Sequence, residues 1–129
     1  MHMEYSYKRI GQRDYPIISM DIKSNLRTKQ THALIDSGSM LSLFGLEVAN
    51  ELGILYKNGK PTRIASVHGE LLVYIHSLHL IIMNHEFSCQ VGFSDEFKAN
   101  VNLLGRMDFF DNFLITFDEK HKKVVLDKY

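Results

Sequence analysis

The sequence has 129 residues, of which 45% are hydrophobic, so it is long enough for one ordinary domain with its own core. Fifteen basic and fifteen acidic side chains cancel, so the chain lacks the excess positive charge expected of a protein that binds nucleic acid or an anionic membrane. The length also excludes a two-lobed enzyme of several hundred residues, and chemistry between two lobes would therefore need a second copy.

The expected cellular compartment is inferred from features that the sequence does not contain. The single cysteine, Cys89, can form no intrachain disulfide and no cysteine metal cluster. The first residues carry no signal-peptide pattern, and no run approaches the ~18 apolar residues of a membrane span. We therefore expect a soluble, cytoplasmic chain that forms one domain over residues 1–129. Residues 1–3 resemble a cloning remnant, and a piece of a longer protein is equally compatible with these features.

A period of two in the apolar residues dominates the chain and predicts mostly β-structure. Two stretches are different. Residues 42–52 have roughly helical spacing, with Ser42 as the candidate N-cap and Gly53 at the expected stop, and residues 105–112 suit a shorter helical turn. A turn is expected at Asn84 and His85, and a charged turn at 118–123. The predicted strands are, in chain order, 16–23, 71–75, 78–82 after a change of phase, 87–91, 113–117 and 124–126.

The two halves of the chain contain a similar sequence pattern. In the first half, Leu34 and Ile35 precede Asp36-Ser37-Gly38 and then a helix. In the second half, Leu103 and Leu104 precede Gly105 and a short helix. Two similar halves around a pseudo-dyad favour a small closed β-structure.

The strongest local signal for chemistry is Asp36-Ser37-Gly38 at the end of an apolar strand. A glycine lets the chain turn tightly and bring backbone N–H groups close to the acid. Two such carboxylates a few ångströms apart share one proton, and the pair can activate water against a peptide bond. Asp, Ser and Gly are also common turn residues, so the tripeptide alone is better explained by a simple turn.

The context of this tripeptide changes its interpretation. Residues 33–38 (Ala-Leu-Ile-Asp-Ser-Gly) and residues 102–106 (Asn-Leu-Leu-Gly-Arg), followed by Asp-Phe-Phe at 108–110 and the strand at 113–117, occur in that order. On these motifs the chain resembles the retropepsin-like aspartic proteases, in particular their small single-domain prokaryotic members, from about residue 16 to residue 126. The resemblance implies an all-β fold, a small closed barrel of the acid-protease type with one or two short helices.

The resemblance also implies a role for each matching residue. It implies a homodimer in which Asp36 of each chain is catalytic, Ser37 forms a hydroxyl–backbone contact across the subunits, and Gly38 exposes its backbone to substrate. The residues implied to support the active-site loop are Leu103, Leu104, Gly105 and Arg106. The residues implied to contact substrate are Ser39 and, in a hairpin flap over residues 64–71, Ser66, Val67, His68 and Gly69. The chain termini, residues 5–10 and 124–126, are expected to pair across the dimer.

The sequence departs from the family pattern at three places. Ser37 stands where threonine is usual, so the hydroxyl is kept and a methyl group is lost. Met40 stands where retroviral members carry an aspartate that pairs with the arginine here numbered Arg106, for which Asp108 and Asp111 are candidate partners. The flap has one glycine rather than several, which indicates a stiffer or shorter flap.

Other residues that could bind a metal or act as nucleophiles are better explained by structural roles. None of the seven histidines shows metal-ligand spacing, and we expect neither a metal nor an organic cofactor. Cys89 alternates with apolar neighbours and is expected to be buried. Ser37 and Ser39 lack the Gly-x-Ser-x-Gly context of a nucleophilic serine.

Three functions follow as hypotheses. The leading one is a homodimeric aspartic endopeptidase acting on protein or peptide, with no nucleic-acid or membrane partner. The second is a catalytically weak or inactive dimer of the same fold that binds peptide or mediates dimerisation. The third is a monomeric structural barrel in which Asp36 is only a turn residue.

Overall fold

The computed structural model describes residues 1–66 and 69–129, and for Ser66 the backbone only. Within these residues most of the chain is β-structure. Two short helices, α1 (Leu46–Glu51) and α2 (Phe109–Asn112), and a 3₁₀ turn at Tyr56–Asn58 interrupt it. The strands are β1 (His2–Ser6), β2 (Lys8–Ile10), β3 (Arg13–Tyr15), β4 (Ile17–Lys23), β5 (Thr28–Ile35), β6 (Ser42–Leu43), β7 (Lys60–Ser66), β8 (Gly69–Ile82), β9 (His85–Phe93), β10 (Asn102–Leu104), β11 (Phe113–Asp118) and β12 (Lys123–Lys128).

A ring of six strands forms the barrel. Its order is β4-β5-β10-β6-β9-β8, and a pairing between β4 and β8 closes the ring. The β10–β5 and β6–β9 pairs are parallel and the other pairs in the ring are antiparallel. Strand β7 adds to β8 outside the ring as one arm of a hairpin. The predicted closed all-β barrel with two short helices is therefore confirmed. In the described ranges, neither helix has the length and apolar character needed to cross a bilayer.

The long strand β8 explains the change of phase seen in the sequence. Leu78, Leu80 and Ile82 enter the main core together with the buried residues of β4, β5 and β9. The preceding stripe, which includes the buried Val73, packs into a second and smaller apolar cluster. One continuous strand thus supplies two clusters, because its apolar face changes near residues 76 and 77.

The turn between β8 and β9 lies one residue earlier than the sequence predicts. Met83 and Asn84 both have positive φ, 56° and 61°, and Ile82 pairs with His85. Two central residues with positive φ are the pattern of the two-residue hairpin turn that matches strand twist. His85 is therefore the first residue of β9 and lies outside the turn.

The first helix is shorter than predicted. Helix α1 begins at Leu46 after Gly45, and Ser42 lies in β6, buried, rather than capping the helix. The Ser42 hydroxyl has another partner, since its Oγ accepts a hydrogen bond from the Gly105 N–H at 3.0 Å. The predicted stop is confirmed, because Gly53 has φ +74° and directly follows the last helical turn.

The chain termini pair with one another in the same chain. Strand β12 lies between β1 and β11 in a separate three-stranded sheet, in which Tyr5 lies opposite Val124. Residues 8–10 form a hairpin with residues 13–15. Both edges of β12 are thus hydrogen-bonded within the single chain. The expected pairing of residues 5–10 and 124–126 across a dimer stays a prediction. His2 and Met3 belong to β1 and are integral to this sheet.

Candidate active site

Asp36 begins a loop at the point where two strands run side by side. Strand β5 ends at Ile35, which pairs with Leu104 of β10 in a parallel ladder. The Asp36 N–H continues this ladder by donating to the Leu104 carbonyl oxygen at 2.9 Å. The Ile35 N–H donates to the Pro16 carbonyl oxygen at 2.9 Å, so the base of the loop is held from both sides. The half-buried Asp36 side chain thus starts from a fixed backbone position.

The residues after Asp36 orient its carboxylate. The Gly38 N–H donates to Asp36 Oδ1 at 2.9 Å, and the Ser39 N–H donates to the Asp36 carbonyl oxygen at 3.2 Å. A Cβ at position 38 would lie 3.2 Å from that same Oδ1, so glycine allows the close approach. Ser37 is exposed, and its hydroxyl forms no hydrogen bond within the described part of the chain. The loop therefore presents one oriented carboxylate with an exposed hydroxyl beside it.

The similar segments of the two halves pair with each other as parallel strands in the structure. Leu34 lies opposite Leu103, and Ile35 lies opposite Leu104. In this register, Gly105 directly follows the apolar pair of the second half, and Asp36 directly follows the apolar pair of the first half. The second half therefore contributes no acid at the matching point of the pseudo-dyad.

Residues 104–106 contact the candidate loop through their backbone. The Arg106 N–H donates to the Ser39 carbonyl oxygen and the Met107 N–H to the Met40 carbonyl oxygen, each at 2.8 Å. A Cβ at Gly105 would lie 2.5 Å from the Leu41 carbonyl oxygen, a backbone atom that cannot move aside. The two segments therefore touch backbone to backbone.

Neither candidate partner of Arg106 pairs with it. The exposed Arg106 guanidinium forms no ion pair with any described residue, and Asp111 forms none either. Asp108 has a positive φ of 68°, and its Oδ2 accepts a hydrogen bond from the Gln90 N–H at 2.8 Å. Asp108 therefore anchors strand β9 rather than the arginine.

Asn102, the first residue of the 102–106 motif, has a structural role that the sequence did not reveal. Its Oδ1 accepts from the Gly45 N–H at 2.8 Å, and its Nδ2 donates to the His32 carbonyl oxygen at 2.9 Å and to Thr31 Oγ1 at 3.2 Å. One side chain thus joins β10, β5 and the start of α1. A polar residue directly before an apolar pair was the signal available in the sequence.

The predicted flap is a β-hairpin as far as the structure describes it. Residues of β7 pair with β8 down to Ser66 opposite Gly69, which has a φ of 110°. Of the predicted substrate contacts, Val67 and His68 lie outside the described residues, as does the Ser66 side chain. Ser39 lies in the candidate loop, where its hydroxyl donates to the Leu41 carbonyl oxygen at 2.7 Å.

A second apolar cluster joins the hairpin to the segment that follows the candidate loop. Leu41 and Leu43, just after the loop, are buried together with Val73 of β8. Ile64 and Leu71, on the two arms of the hairpin, pack against them. The apolar stripe at 71–75 packs into this cluster. Its remaining members are Ile75, Phe97 and Leu103.

The other candidate residues have structural partners. Cys89 is fully buried as predicted, and burial, followed by the charge of Asp108, raises the pKa of its thiol to about 12. His76 donates from Nε2 to the Tyr56 carbonyl oxygen at 2.8 Å, and His85 Nε2 lies 2.9 Å from Asn112 Oδ1. Among the residues that the structure describes, no group of three His, Cys, Asp or Glu side chains is arranged to hold a metal ion.

Comparisons with known proteins support the fold. No family model and no curated protein sequence matches the chain. Among solved structures, it is similar to a retropepsin-like aspartic protease from Rickettsia conorii, with a TM-score of 0.74, 19% identity and coverage of 98% of this chain and 89% of the other. It is also similar to EIAV protease in complex with an inhibitor, with a TM-score of 0.56, 18% identity and coverage of 77% and 88%. The chain therefore has the retropepsin fold.

Proposed function

We propose that this protein is a homodimeric aspartic endopeptidase. The observation that carries the proposal is the arrangement of Asp36 beside Gly105: one oriented carboxylate on a retropepsin fold, with no acid at the matching point of the second half. One chain therefore offers half of a carboxylate dyad. A second copy, related by a two-fold axis, supplies the other Asp36.

The proposed reaction uses the two Asp36 carboxyls as a pair that holds one proton. The ionised carboxyl takes a proton from a water molecule while the water oxygen forms a bond to the peptide carbonyl carbon. The protonated carboxyl donates its proton to the carbonyl oxygen, which gives a neutral gem-diol. Collapse of that intermediate breaks the C–N bond: the carboxyl that received a proton from water gives it to the departing amine, and the other carboxylate takes a proton from a gem-diol hydroxyl, whose oxygen becomes the carbonyl oxygen of the product acid. Each product is released with the dyad returned to one proton.

The neighbouring residues have proposed roles that follow from their positions. The Gly38 N–H holds Asp36 Oδ1, which fixes the orientation of the carboxylate. The exposed Ser37 hydroxyl is available to bond the partner's backbone, because it has no bond in the described part of its own chain. Leu103, Leu104, Gly105 and Arg106 support the loop through the backbone contacts described above.

An extended peptide is the proposed substrate. It lies under the hairpin as an added strand, with contacts from Ser39 and from Ser66, Val67, His68 and Gly69. The apolar cluster around Leu41 and Leu43 lies between the loop and the hairpin, and it favours apolar side chains in the substrate. We propose no metal, cofactor, nucleic acid or membrane in the reaction. The proposal takes residues 1–129 as one domain acting in the cytoplasm.

The test is cleavage of an unfolded protein by the purified chain and by Asp36→Asn. The amide cannot serve as the base, so we expect the rate to fall by at least about 1000-fold while the far-UV circular dichroism is unchanged. Asp111→Asn is the matched control, since Asp111 is an exposed aspartate without an ion pair in the described residues, and it should retain full activity. Unchanged cleavage by Asp36→Asn would show that the proposal is wrong.

A second candidate is a dimer of the same fold that binds peptide without cleaving it. Arg106 beside Met40 favours it, because relatives with an aspartate at position 40 have an ion pair that fastens the loop, and Arg106 forms no ion pair with the residues that the structure describes. Calorimetric titration of apolar peptides, followed by mass spectrometry of the same samples, separates the two candidates. Binding with intact peptide from about pH 4 to 8 supports the second, and cleavage supports the first.

The third hypothesis, a monomeric structural barrel, makes a different prediction. A strictly monomeric chain cannot bring two Asp36 carboxyls together. Sedimentation equilibrium over a range of protein concentrations decides this question without any assay of activity.

A further inference from the structure

Strand β8 has a gap along one of its two edges. On the β9 side it is paired without interruption from Tyr74 to Ile82. On the other side its partner is β7 as far as Ile75 and β4 from His79 onward. Within the described part of the chain, no strand lies beside residues 76–78 on that second edge.

The backbone N–H and C=O of Ser77 point into this gap. The Leu72 N–H donates to Glu96 Oε1, and the Leu72 carbonyl oxygen accepts from Ser94 Oγ. Both partners follow β9 in the chain, so the even-numbered residues of β8 face the β9 edge and the odd-numbered Ser77 faces the other. The Ser77 N–H and C=O form no hydrogen bond with any described residue. The strand thus offers one donor and one acceptor to an added chain.

A cavity of about 390 Å³ lies at the gap, a volume in the range of small-ligand sites. Leu26 and Ile54 give it an apolar wall, and Lys23 and His79 lie at the end where β4 pairs with β8. No acid is found among the described residues that line it. The carboxylate of Glu86, outside the cavity, lies 3.7 Å from Lys23 Nζ and 3.2 Å from His79 Nδ1. The cavity therefore combines free backbone groups, an apolar wall and a positive charge at one end.

The shape and charge of the gap favour the carboxyl end of a chain over its middle. Strand β4 closes one end and β7 closes the other, so only about three extended residues fit between them. A chain that stops inside the gap avoids both barriers, whereas a continuing chain meets one of them. Among the described lining side chains, Lys23 carries the only permanent charge, and a positive charge suits a terminal carboxylate.

We propose that this gap binds the last three residues of a separate extended peptide as a short strand parallel to β8. Its carboxylate lies beside Lys23, and an apolar side chain of the peptide contacts Leu26 and Ile54. In a parallel pair the Ser77 N–H donates to the carbonyl oxygen of the third-last residue, and the Ser77 carbonyl oxygen accepts from the N–H of the last residue.

The proposed site is separate from the candidate active site. Leu26 precedes the first residue of β5 and Asp36 follows the last, so the two lie about 20 Å apart at the strand rise. The inference therefore does not depend on the proposed function.

Titration of the intact chain with acetyl-Gly-Ala-Leu, followed by amide shifts in two-dimensional NMR, tests the site. Two backbone bonds and one buried apolar side chain should give a dissociation constant on the order of 1 mM, with the largest shift at the Ser77 N–H. The same peptide with a carboxyl-terminal amide should bind about threefold more weakly, because it loses the attraction of Lys23.

Two exposed leucines provide a matched pair of variants. Leu26 is 73% exposed and Leu55 is 74% exposed, but only Leu26 lines the cavity. Leu26→Asp removes part of the apolar wall and repels the carboxylate, so the dissociation constant should rise about tenfold. Leu55→Asp should change it by less than about twofold.

A lysine pair tests the charge. Lys23→Gln should bind the acid and the amide of the peptide equally. Lys122→Gln is the control, since Lys122 is also an exposed lysine that pairs with a glutamate, Glu119, at 2.9 Å, and it should keep the preference for the acid.

The outcomes support or overturn the site whether or not the chain cleaves protein. Shifts centred on Ser77, weakened by Leu26→Asp and not by Leu55→Asp, support it. Shifts centred on Gly38 in the candidate loop, equal binding of acid and amide by the unmodified chain, or no saturable shift at about ten times the expected dissociation constant overturn it.

Discussion

The side-chain oxygen of Ser42 accepts a hydrogen bond from the backbone N–H of Gly105, 63 residues away, and both groups are buried. This bond joins the strand that follows the Asp36 loop to the residue at the matching point of the second half. It is a side chain-to-backbone contact at the centre of the pseudo-dyad. Contacts between the two halves, together with the Gly38 N–H bond to Asp36 Oδ1, thus position the candidate site.

Removal of the Ser42 hydroxyl should destabilise the protein. Ser42→Ala leaves the Gly105 N–H buried without an acceptor, which costs about 1–3 kcal/mol. Urea unfolding followed by circular dichroism measures this loss. Ser88→Ala, at an exposed position on β9, is the control and should change the free energy of unfolding by less than about 0.5 kcal/mol. Equal effects of the two changes would contradict a special role for the Ser42 bond.

A methyl group at position 105 should disrupt the contact between the two loops. In Gly105→Ala the new Cβ meets the Leu41 carbonyl oxygen at 2.5 Å, so the backbone must shift, and we expect a loss of about 3 kcal/mol. Gly11→Ala is the comparison, since a Cβ there meets nothing within 4 Å and the cost comes from its φ of +63° alone, about 1 kcal/mol. Thermal unfolding of both variants shows which one loses more stability. A smaller loss of stability for Gly105→Ala than for Gly11→Ala would contradict the packing argument.

An acid at position 40 should give Arg106 an ion-pair partner, which it does not have among the described residues. Backbone bonds from Arg106 and Met107 to Ser39 and Met40 hold the two positions close together. Met40→Asp should therefore raise the free energy of unfolding by up to about 1 kcal/mol, and added salt should reduce the gain. Met40→Asn should show no gain. A double-mutant cycle with Arg106→Ala isolates the pair, and a gain that survives Arg106→Ala would mean that another residue is responsible.

The buried Cys89 thiol should make the protein less stable at high pH. Its pKa rises from an ordinary value of 9.0 to about 12 on folding, mainly through burial. A group with a raised folded pKa contributes stability that is complete below its unfolded pKa and is lost as the pH rises through the folded value. The melting temperature should therefore fall between about pH 9 and 12.

Cys89→Ala isolates this contribution. The melting temperature of the variant should fall less steeply with pH over the same range. Some fall remains because Tyr7 still titrates, and burial raises the pKa of Tyr7 to about 12 as well. Alkylation of the native wild-type thiol near pH 8 should be much slower than alkylation of the unfolded chain, because the thiolate is the reactive form. Parallel slopes for the two proteins would contradict this explanation.

The pH dependence of cleavage should report a pair of coupled carboxyls. If two Asp36 groups share one proton, the rate falls when the pair gains a second proton and when it loses the only one, which gives a bell-shaped profile with an acidic maximum. Rates with an unfolded protein substrate from about pH 3 to 8 check the shape. A profile with a single ionisation would instead indicate one carboxyl acting alone.

Several features of the fold were predictable from local patterns. The period of two located β4, β8, β9, β11 and β12, because half-buried strands must alternate apolar and polar residues. Gly53 was predictable as a helix stop because few other residues adopt its positive φ. The repeated apolar pair at 34–35 and 103–104 predicted the pseudo-dyad that the parallel β5–β10 pairing forms.

Other features depended on partners far away in the sequence. Ser42 has the local pattern of a helix cap, and its bond to Gly105 exists only once the halves meet. Asp108 was a reasonable partner for its near neighbour Arg106, yet its carboxylate turns to Gln90 on another strand. Both neighbours of β12 come from its own chain, and an edge pattern in sequence cannot say which chain supplies a neighbouring strand.

The class of fold and the position of the candidate carboxylate were predictable from periodicity and from one Asp-Ser-Gly, and these features together with the length of 129 residues underlie the proposal that a second copy completes the site. The hydrogen-bond partners of Asn102, Ser42 and Asp108, and the position of β12 between β1 and β11, became evident only in the folded chain. The physical reason is that periodicity and turn preferences act between near neighbours, whereas buried hydrogen bonds and strand neighbours are selected by the packing of segments distant in the chain.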